Sequence, residues 1–323
     1  MKTDISMEDN TICTIDCNYV YPQIAASFLL KEGGNAVFIE NNTSHSVPYL
    51  VKELENQKLT KEKVKYLIVT HVHLDHAGGT SALLKECPNA IVLAHPRTAT
   101  HLVNPKRLIE SAIGVYGKEN FEKLYGKIDP IPENRIRIME DGEVLDFNGR
   151  PLTFIYTKGH ANHHFVIYDK KTTSIFTGDS FGLAYPGLQT GNNKFIFPST
   201  SPTDFDPEEA ILSIDKIINT GAEKAYLTHF GLWDDMEEAK NQLKRSLNTI
   251  NQFYQEALRL GNDKQIDDFC KENVMAFFQK ELSTRGIKLD TSSHQLLNMD
   301  IELNAQGIAF SVKRQKRKKL PNK

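Results

Sequence analysis

No stretch of this chain approaches the run of about 18 apolar residues that a membrane-spanning helix needs. Its first ten residues are polar and acidic and offer no apolar core for a secretory leader. Cysteine is scarce: Cys13, Cys17, Cys87 and Cys270 are too few and too scattered for a disulfide framework. Cys13 and Cys17 leave a redox or metal role open, but reduced thiols of a cytoplasmic protein account for all four. Excess charge of one sign is missing too, since the formal net charge is −2, so nothing global recommends a nucleic-acid or membrane partner. The local exception is Lys313-Arg314-Gln315-Lys316-Arg317-Lys318-Lys319, which reads as a solvated, partly disordered basic terminus. What these absences leave is a cytoplasmic globular protein. Its 323 residues, 40% apolar and 25% charged, suffice for one large core, or one core and an appendage.

Taken in order, the chain opens with strand-like runs at 11–16 and 25–30, a Gly33-Gly34 turn and a return strand at 36–40. A helical period follows at 47–57, then a β-branched strand at 64–69, a helix at 81–86 and a strand at 90–94. From His95 to Tyr125 the pattern is that of an inserted pair of helices. Five short strands (135–139, 143–147, 152–157, 165–168 and 174–177) are punctuated by Asp141-Gly142 and Asn148-Gly149. The irregular stretch 181–207 is long enough to suggest a functional loop. Pro207-Glu208-Glu209 starts a helix, 224–228 is a last strand, and beyond Asp234 come two amphipathic helices and a less regular third segment. Two strand runs, each with helices, predict two sheets with helices outside them. The expected division is a catalytic domain over 11–232 and a helical extension over 233–323.

The chemistry concentrates where the 64–69 strand ends. His71-Val72-His73-Leu74-Asp75-His76 places three imidazoles and a carboxylate at a strand-to-loop junction, in a chain with only eleven histidines. His71 and His73, two apart, project from the same side of an extended backbone. Asp75 and His76 follow where the chain turns. Three more donors stand just after strands: His160 after 152–157, Asp179 after 174–177 and His229 after 224–228. A lone histidine in such a place is ordinarily structural, but three such positions joining the first cluster point to a metal site.

In that order and strand context, the HxHxDH run with His160, Asp179 and His229 resembles the metallo-β-lactamase fold superfamily of hydrolases, over roughly residues 11–230. The resemblance implies a four-layer αββα sandwich with the site at one edge between the sheets. It further implies that His71, His73 and His160 bind one metal and Asp75, His76 and His229 a second, with Asp179 bridging. Imidazole and carboxylate suit zinc, and also iron or manganese. Two such ions would supply a bridging hydroxide nucleophile near neutral pH, and Asp75 would orient it and pass a proton to the leaving group.

Retention of Asp75 places the resemblance with the thioesterase and lactonase type, so the expected substrate is an ester, thioester or lactone of a small metabolite. The basic residues of a hydroxyacylglutathione hydrolase are not recognisable. The run His160-Ala161-Asn162-His163-His164 departs from the usual small-residue continuation. His163 and His164 are either donors or substrate contacts near the site, or exposed loop residues. His95 reads as a helix-entry residue, and His45, His101 and His294 as surface or packing residues. Tyr185, Phe195, Phe197 and Trp233 line a pocket or pack a core, and the C-terminal helices form a lid or a homodimer contact. The competing reading is a non-hydrolytic relative, either di-iron redox or regulatory. Against the redox form, His73 stands where such members carry Glu, and the helical C-terminal part is too short for a flavin domain.

Overall fold

The structure is a computed structural model that describes residues 11–319 apart from 190, 192, 201 and 202. Residues 1–10, expected to lack a leader, lie outside the described residues, and no helix among those described is long and apolar enough to cross a membrane. The chain forms two compact units, the first comprising residues through Tyr156, His163–Gly178 and Gly221–Asp234. Thr157–Asn162, Asp179–Thr220 and the residues from Asp235 onward make the second.

In the first unit β1 (Ile12–Asp16), β2 (Ala26–Glu32), β3 (Asn35–Ile39), β4 (Val64–Ile68), β5 (Ile91–Ala94) and β6 (Ile136–Ile138) make one sheet in chain order. The β1–β2–β3 part is antiparallel, and β3 to β6 run parallel. The second sheet is built from β7 (Val144–Phe147), β8 (Arg150–Thr157), β9 (His164–Asp169), β10 (Ser174–Gly178), β11 (Lys224–Leu227) and β12 (Gly231–Trp233), also adjacent in chain order. Side-chain alternation divides β2 and β3 between two cores. Phe28, Leu30, Val37 and Ile39 face the second sheet, where they meet Phe154, Phe165, Phe176 and Tyr226. The Phe28 ring lies 5.4 Å from both Phe176 and Tyr226. Leu29 and Phe38 face the other way, onto Leu50 and Leu54 of α1 (Val47–Asn56) and Leu83 of α3 (Thr80–Glu86). Burial on both faces is why these strands read as continuous apolar runs. The α/β sandwich expected from the sequence is thus present.

Three differences from the expectation have local causes. A short helix, α2 (Leu74–Ala77), forms within the HxHxDH run, and the insertion holds three helices: α4 (Pro96–Val103), α5 (Lys106–Tyr116) and α6 (Lys118–Tyr125). Gly117, at φ 76°, ends α5 and starts α6. The three-residue β12 is too short to carry a period.

The second sheet also holds a buried ion pair. Arg150 Nε lies 3.0 Å from Asp169 Oδ2 and Arg150 Nη1 2.8 Å from Thr11 Oγ1, with Arg150 and Asp169 both fully buried.

The second unit contains α7 (Pro207–Asn219), α8 (Met236–Ala257), α9 (Asp263–Arg285) and α10 (Thr291–Lys319). Phe195 and Phe197 are fully buried here, with Phe197 5.0 Å from Phe278, and Tyr185 packs on Phe197, so these aromatics are core. The basic run corrects the expectation of a free terminus in its first part, because Lys313, Arg314 and Lys316 lie on α10 and are paired, while Arg317 and Lys318 are exposed as expected. Arg314 meets Asp204 at 2.7 Å, Lys313 meets Asp267 at 2.5 Å, and Lys316 donates to the Leu258 carbonyl at the end of α8. Cations at a helix C-terminus offset its dipole. Thr200 is tied to Asn304 by two hydrogen bonds of 2.7 Å, and Ser311 donates to the Phe205 carbonyl at 2.6 Å.

Candidate metal centre

The end of β4 is shaped by Thr70, which is fully buried. Its hydroxyl lies 2.5 Å from Glu40 Oε1 and 3.0 Å from His71 Nδ1, while its carbonyl accepts from Phe165 N–H at 3.0 Å. The turn that follows places the His71 ring 4.4 Å from His73 and 4.1 Å from His76. Asp75 is anchored through its backbone, whose carbonyl accepts from Asn42 Nδ2 at 2.8 Å. The next turn packs tightly against that loop: a Cβ on Gly79 would lie 2.3 Å from the Asn41 carbonyl oxygen. Only glycine fits there.

Within the first unit, ligand-type atoms of Asp75, His76 and His229 lie within 4.8 Å of one another, as do those of Glu40, His71 and His76. Asp75 Oδ2 is 3.5 Å from His229 Nε2 and 3.8 Å from His76 Nε2. The other ring nitrogens are turned outward: His229 Nδ1 is 2.7 Å from the Ile24 carbonyl, and His76 Nδ1 is 3.1 Å from Glu40 Oε1. An acceptor at Nδ1 fixes the proton there and leaves the Nε2 lone pair for an ion. His160 follows the same pattern inside the second unit, with Nδ1 3.4 Å from the Ser199 carbonyl and Nε2 3.5 Å from Asp179 Oδ2. His160 and Asp179 line a cleft there with Ser180, Ser199, Ile214 and Leu243.

Of the seven donors expected from the sequence, His71, His73, Asp75, His76 and His229 therefore fall in the first unit, and His160 and Asp179 in the second. As a donor set they fit a borderline divalent ion: imidazole and carboxylate only, with ring tautomers already set for coordination. Asp75 is partly open to solvent, whereas His71 and His76 are fully buried.

Glu40 was not among the expected site residues. It is 1% exposed and gathers Thr70, His76 and, at 3.4 Å, Thr228 Oγ1. Its only signal in the sequence is a carboxylate at the end of an apolar strand. His164 is fully buried as the first residue of β9, which removes the exposed-loop reading for it. His163 is half-buried, and its Nδ1 accepts from Val72 N–H at 3.5 Å, with its ring 6.1 Å from His71. His95 caps α4, accepting from Arg97 N–H at 3.1 Å, as a helix-entry residue does. The cysteines are free thiols. Burial pushes Cys87 and Cys270 up to about 12 and raises Cys17 as well, so none of these three is poised as a thiolate ligand.

Known proteins bear on this geometry. The chain is 28% identical over 230 residues to the metallo-beta-lactamase fold-containing protein ST1585 of Sulfurisphaera tokodaii, covering 69% of this chain and 80% of that one. The crystal structure of ST1585 superposes with a TM-score of 0.66 at 23% identity, covering 94% of this chain and 100% of that one. A hydroxyacylglutathione hydrolase of Aeromonas salmonicida is 22% identical over 231 residues, 69% of this chain and 75% of its own. The sequence model of the metallo-beta-lactamase superfamily matches residues 24–229, which span β11 and end on His229. The chain is therefore a member of the metallo-beta-lactamase superfamily.

Proposed function

We propose that this chain is a binuclear metal-dependent hydrolase acting on an ester, thioester or lactone of a small metabolite. The observation that carries the reading is the convergence of Asp75, His76 and His229 within 4.8 Å, with Nε2 of both rings directed to the Asp75 carboxylate. Similarity to a hydroxyacylglutathione hydrolase supports the choice of reaction. In this reading His71, His73 and His160 would hold one ion and Asp75, His76 and His229 the other, and Asp179 would serve both. Zinc suits the donors best, with iron or manganese as substitutes. When bound, the ions would supply Lewis acidity and lower the pKa of water.

The protein's own groups do the rest. Ile24 and Ser199 hold the Nδ1 protons of His229 and His160, so those ligand lone pairs need no reorientation, and the Glu40 carboxylate faces His76 Nδ1 at 3.1 Å. The Asp75 carboxylate would orient the attacking water, take its proton and return it to the leaving group. The catalytic domain spans 11–232, and the helices of 233–323 form its extension and a homodimer contact, in a cytoplasmic protein. The test is elemental analysis of zinc-reconstituted protein followed by a panel of thioesters, lactones and phosphodiesters. About two ions per chain and turnover of an acyl substrate are expected. Protein that takes up no ion from Zn²⁺ or Fe²⁺ sinks the reading.

A further inference from the structure

Three phenols surround the side chain next to Asp75. Tyr19, on the β1–β2 connection, and Tyr125, at the end of α6, have hydroxyls 3.3 Å apart and stacked rings at 6.2 Å. Tyr116 packs on Tyr125 at 5.9 Å, and all three join Leu74 and Phe121 in one cluster. This group is fixed to the metal centre at two points. The loop at 42–44 uses Asn42 to hold the Asp75 carbonyl at 2.8 Å and the Ser44 hydroxyl to hold the Tyr125 carbonyl at 2.9 Å. Gly126, at φ +66°, lets that loop approach, since a Cβ there would lie 2.1 Å from Ser44 Oγ. The connection carrying Tyr19 ends on Ile24, whose carbonyl holds His229.

That connection is also strained. Asn18, Val20 and Gln23 have φ of 50°, 61° and 62°, and a β-branched residue such as Val20 adopts that region only when its surroundings impose it. Asp16 imposes it here, accepting from Asn18 N–H and Gln23 N–H, both at 2.9 Å. Tyr19 itself is half-buried, and Val20 and Tyr21 beside it are 42% and 41% exposed. Burial, with the Asp75 carboxylate adding, raises all three phenols, so they stay protonated donors.

We propose that Tyr19 is a substrate-binding residue of this centre whose phenol gives up the hydrogen bond it donates to Tyr125 and donates instead to the acyl oxygen of an uncharged ester or thioester. The inference rests on the hydrolase reading and narrows it. A phenol O–H suits an uncharged carbonyl and offers no cation to a phosphodiester.

The test uses full-length zinc-loaded protein with Tyr19→Phe and, should that variant fold poorly, Tyr125→Phe. Each removes one oxygen and keeps the ring. Turnover of 4-nitrophenyl butyrate and of bis(4-nitrophenyl) phosphate is measured, together with calorimetric binding of butyrate and zinc content. The expected result for Tyr19→Phe is butyrate binding and kcat/KM for the ester reduced about three- to tenfold, mostly through KM, with zinc content unchanged, whereas Tyr125→Phe keeps the donating Tyr19 hydroxyl and reduces neither. Tyr19→Phe that binds butyrate and turns over the ester as the wild type does overturns the inference, as does a Tyr125→Phe variant reduced in both, or a wild type that binds no butyrate or prefers the phosphodiester. A wild type that binds butyrate yet hydrolyses nothing sinks the hydrolase reading instead, and the binding comparison then decides the role of Tyr19.

Discussion

His229 Nδ1 lies 2.7 Å from the carbonyl oxygen of Ile24. A carbonyl only accepts, so this ring carries its proton on Nδ1 and turns Nε2 toward Asp75, 3.5 Å away. On the proposed assignment, His229→Ala leaves the first ion in place and lowers zinc content from about two per chain to about one. Elemental analysis after dialysis reads this directly, and retention of two ions would remove His229 from the ligand set.

Glu40 bears on the same centre through His76. Glu40→Gln keeps the shape but withdraws the negative charge facing His76 Nδ1, 3.1 Å away. Zinc affinity is expected to fall about 10- to 100-fold, as it does when a partner behind a metal-binding histidine is lost. Competition against a chromophoric chelator measures it, and an unchanged affinity would reduce Glu40 to a packing role.

The pair Arg150–Asp169 concerns stability rather than chemistry. Both side chains are fully buried, so Asp169→Asn leaves the Arg150 guanidinium facing only the more distant Glu32 carboxylate, 3.7 Å away, and a loss approaching about 3–5 kcal/mol is expected from urea unfolding. Replacing both with Met and Leu should recover most of that loss, because desolvation of the pair offsets much of its attraction.

Burial of His95, with Arg97 adding, depresses its imidazole from the ordinary 6.5 to about 4. The unfolded chain takes up this proton near pH 6.5 and the folded chain only near 4. Stability carried by neutral His95 is therefore whole above about pH 6.5 and is lost as the pH falls toward 4. Unfolding compared at pH 7.5 and 5 should show an acid loss in the wild type that His95→Gln reduces by roughly 1–3 kcal/mol.

Seven candidate donors stand out in the sequence because four lie within six positions and each of the others follows a strand. What supports them does not. Ile24 and Ser199 act through backbone carbonyls, which carry no side-chain signature, and Glu40 is one carboxylate thirty positions from the Thr70 it meets. Apolar periods located most strands and helices, and they failed where a signal was short, as in Gly231–Trp233, or where Gly117 divided one helical stretch in two. The basic run looked solvated because Asp267 and Asp204 stand 46 and 110 positions away.

The bonds from Thr200 to Asn304 and from Ser311 to Phe205 span 104 and 106 positions, and both involve α10, which lies downstream of all seven candidate donors. A stop codon within α10, upstream of Asn304, would delete none of the seven donors. It would still strip Thr200 and Phe205 of these bonds, and Ser199, next to Thr200, holds His160. Nonsense mutations late in such a gene should therefore behave as lesions of the metal site, although they lie more than 60 residues beyond His229.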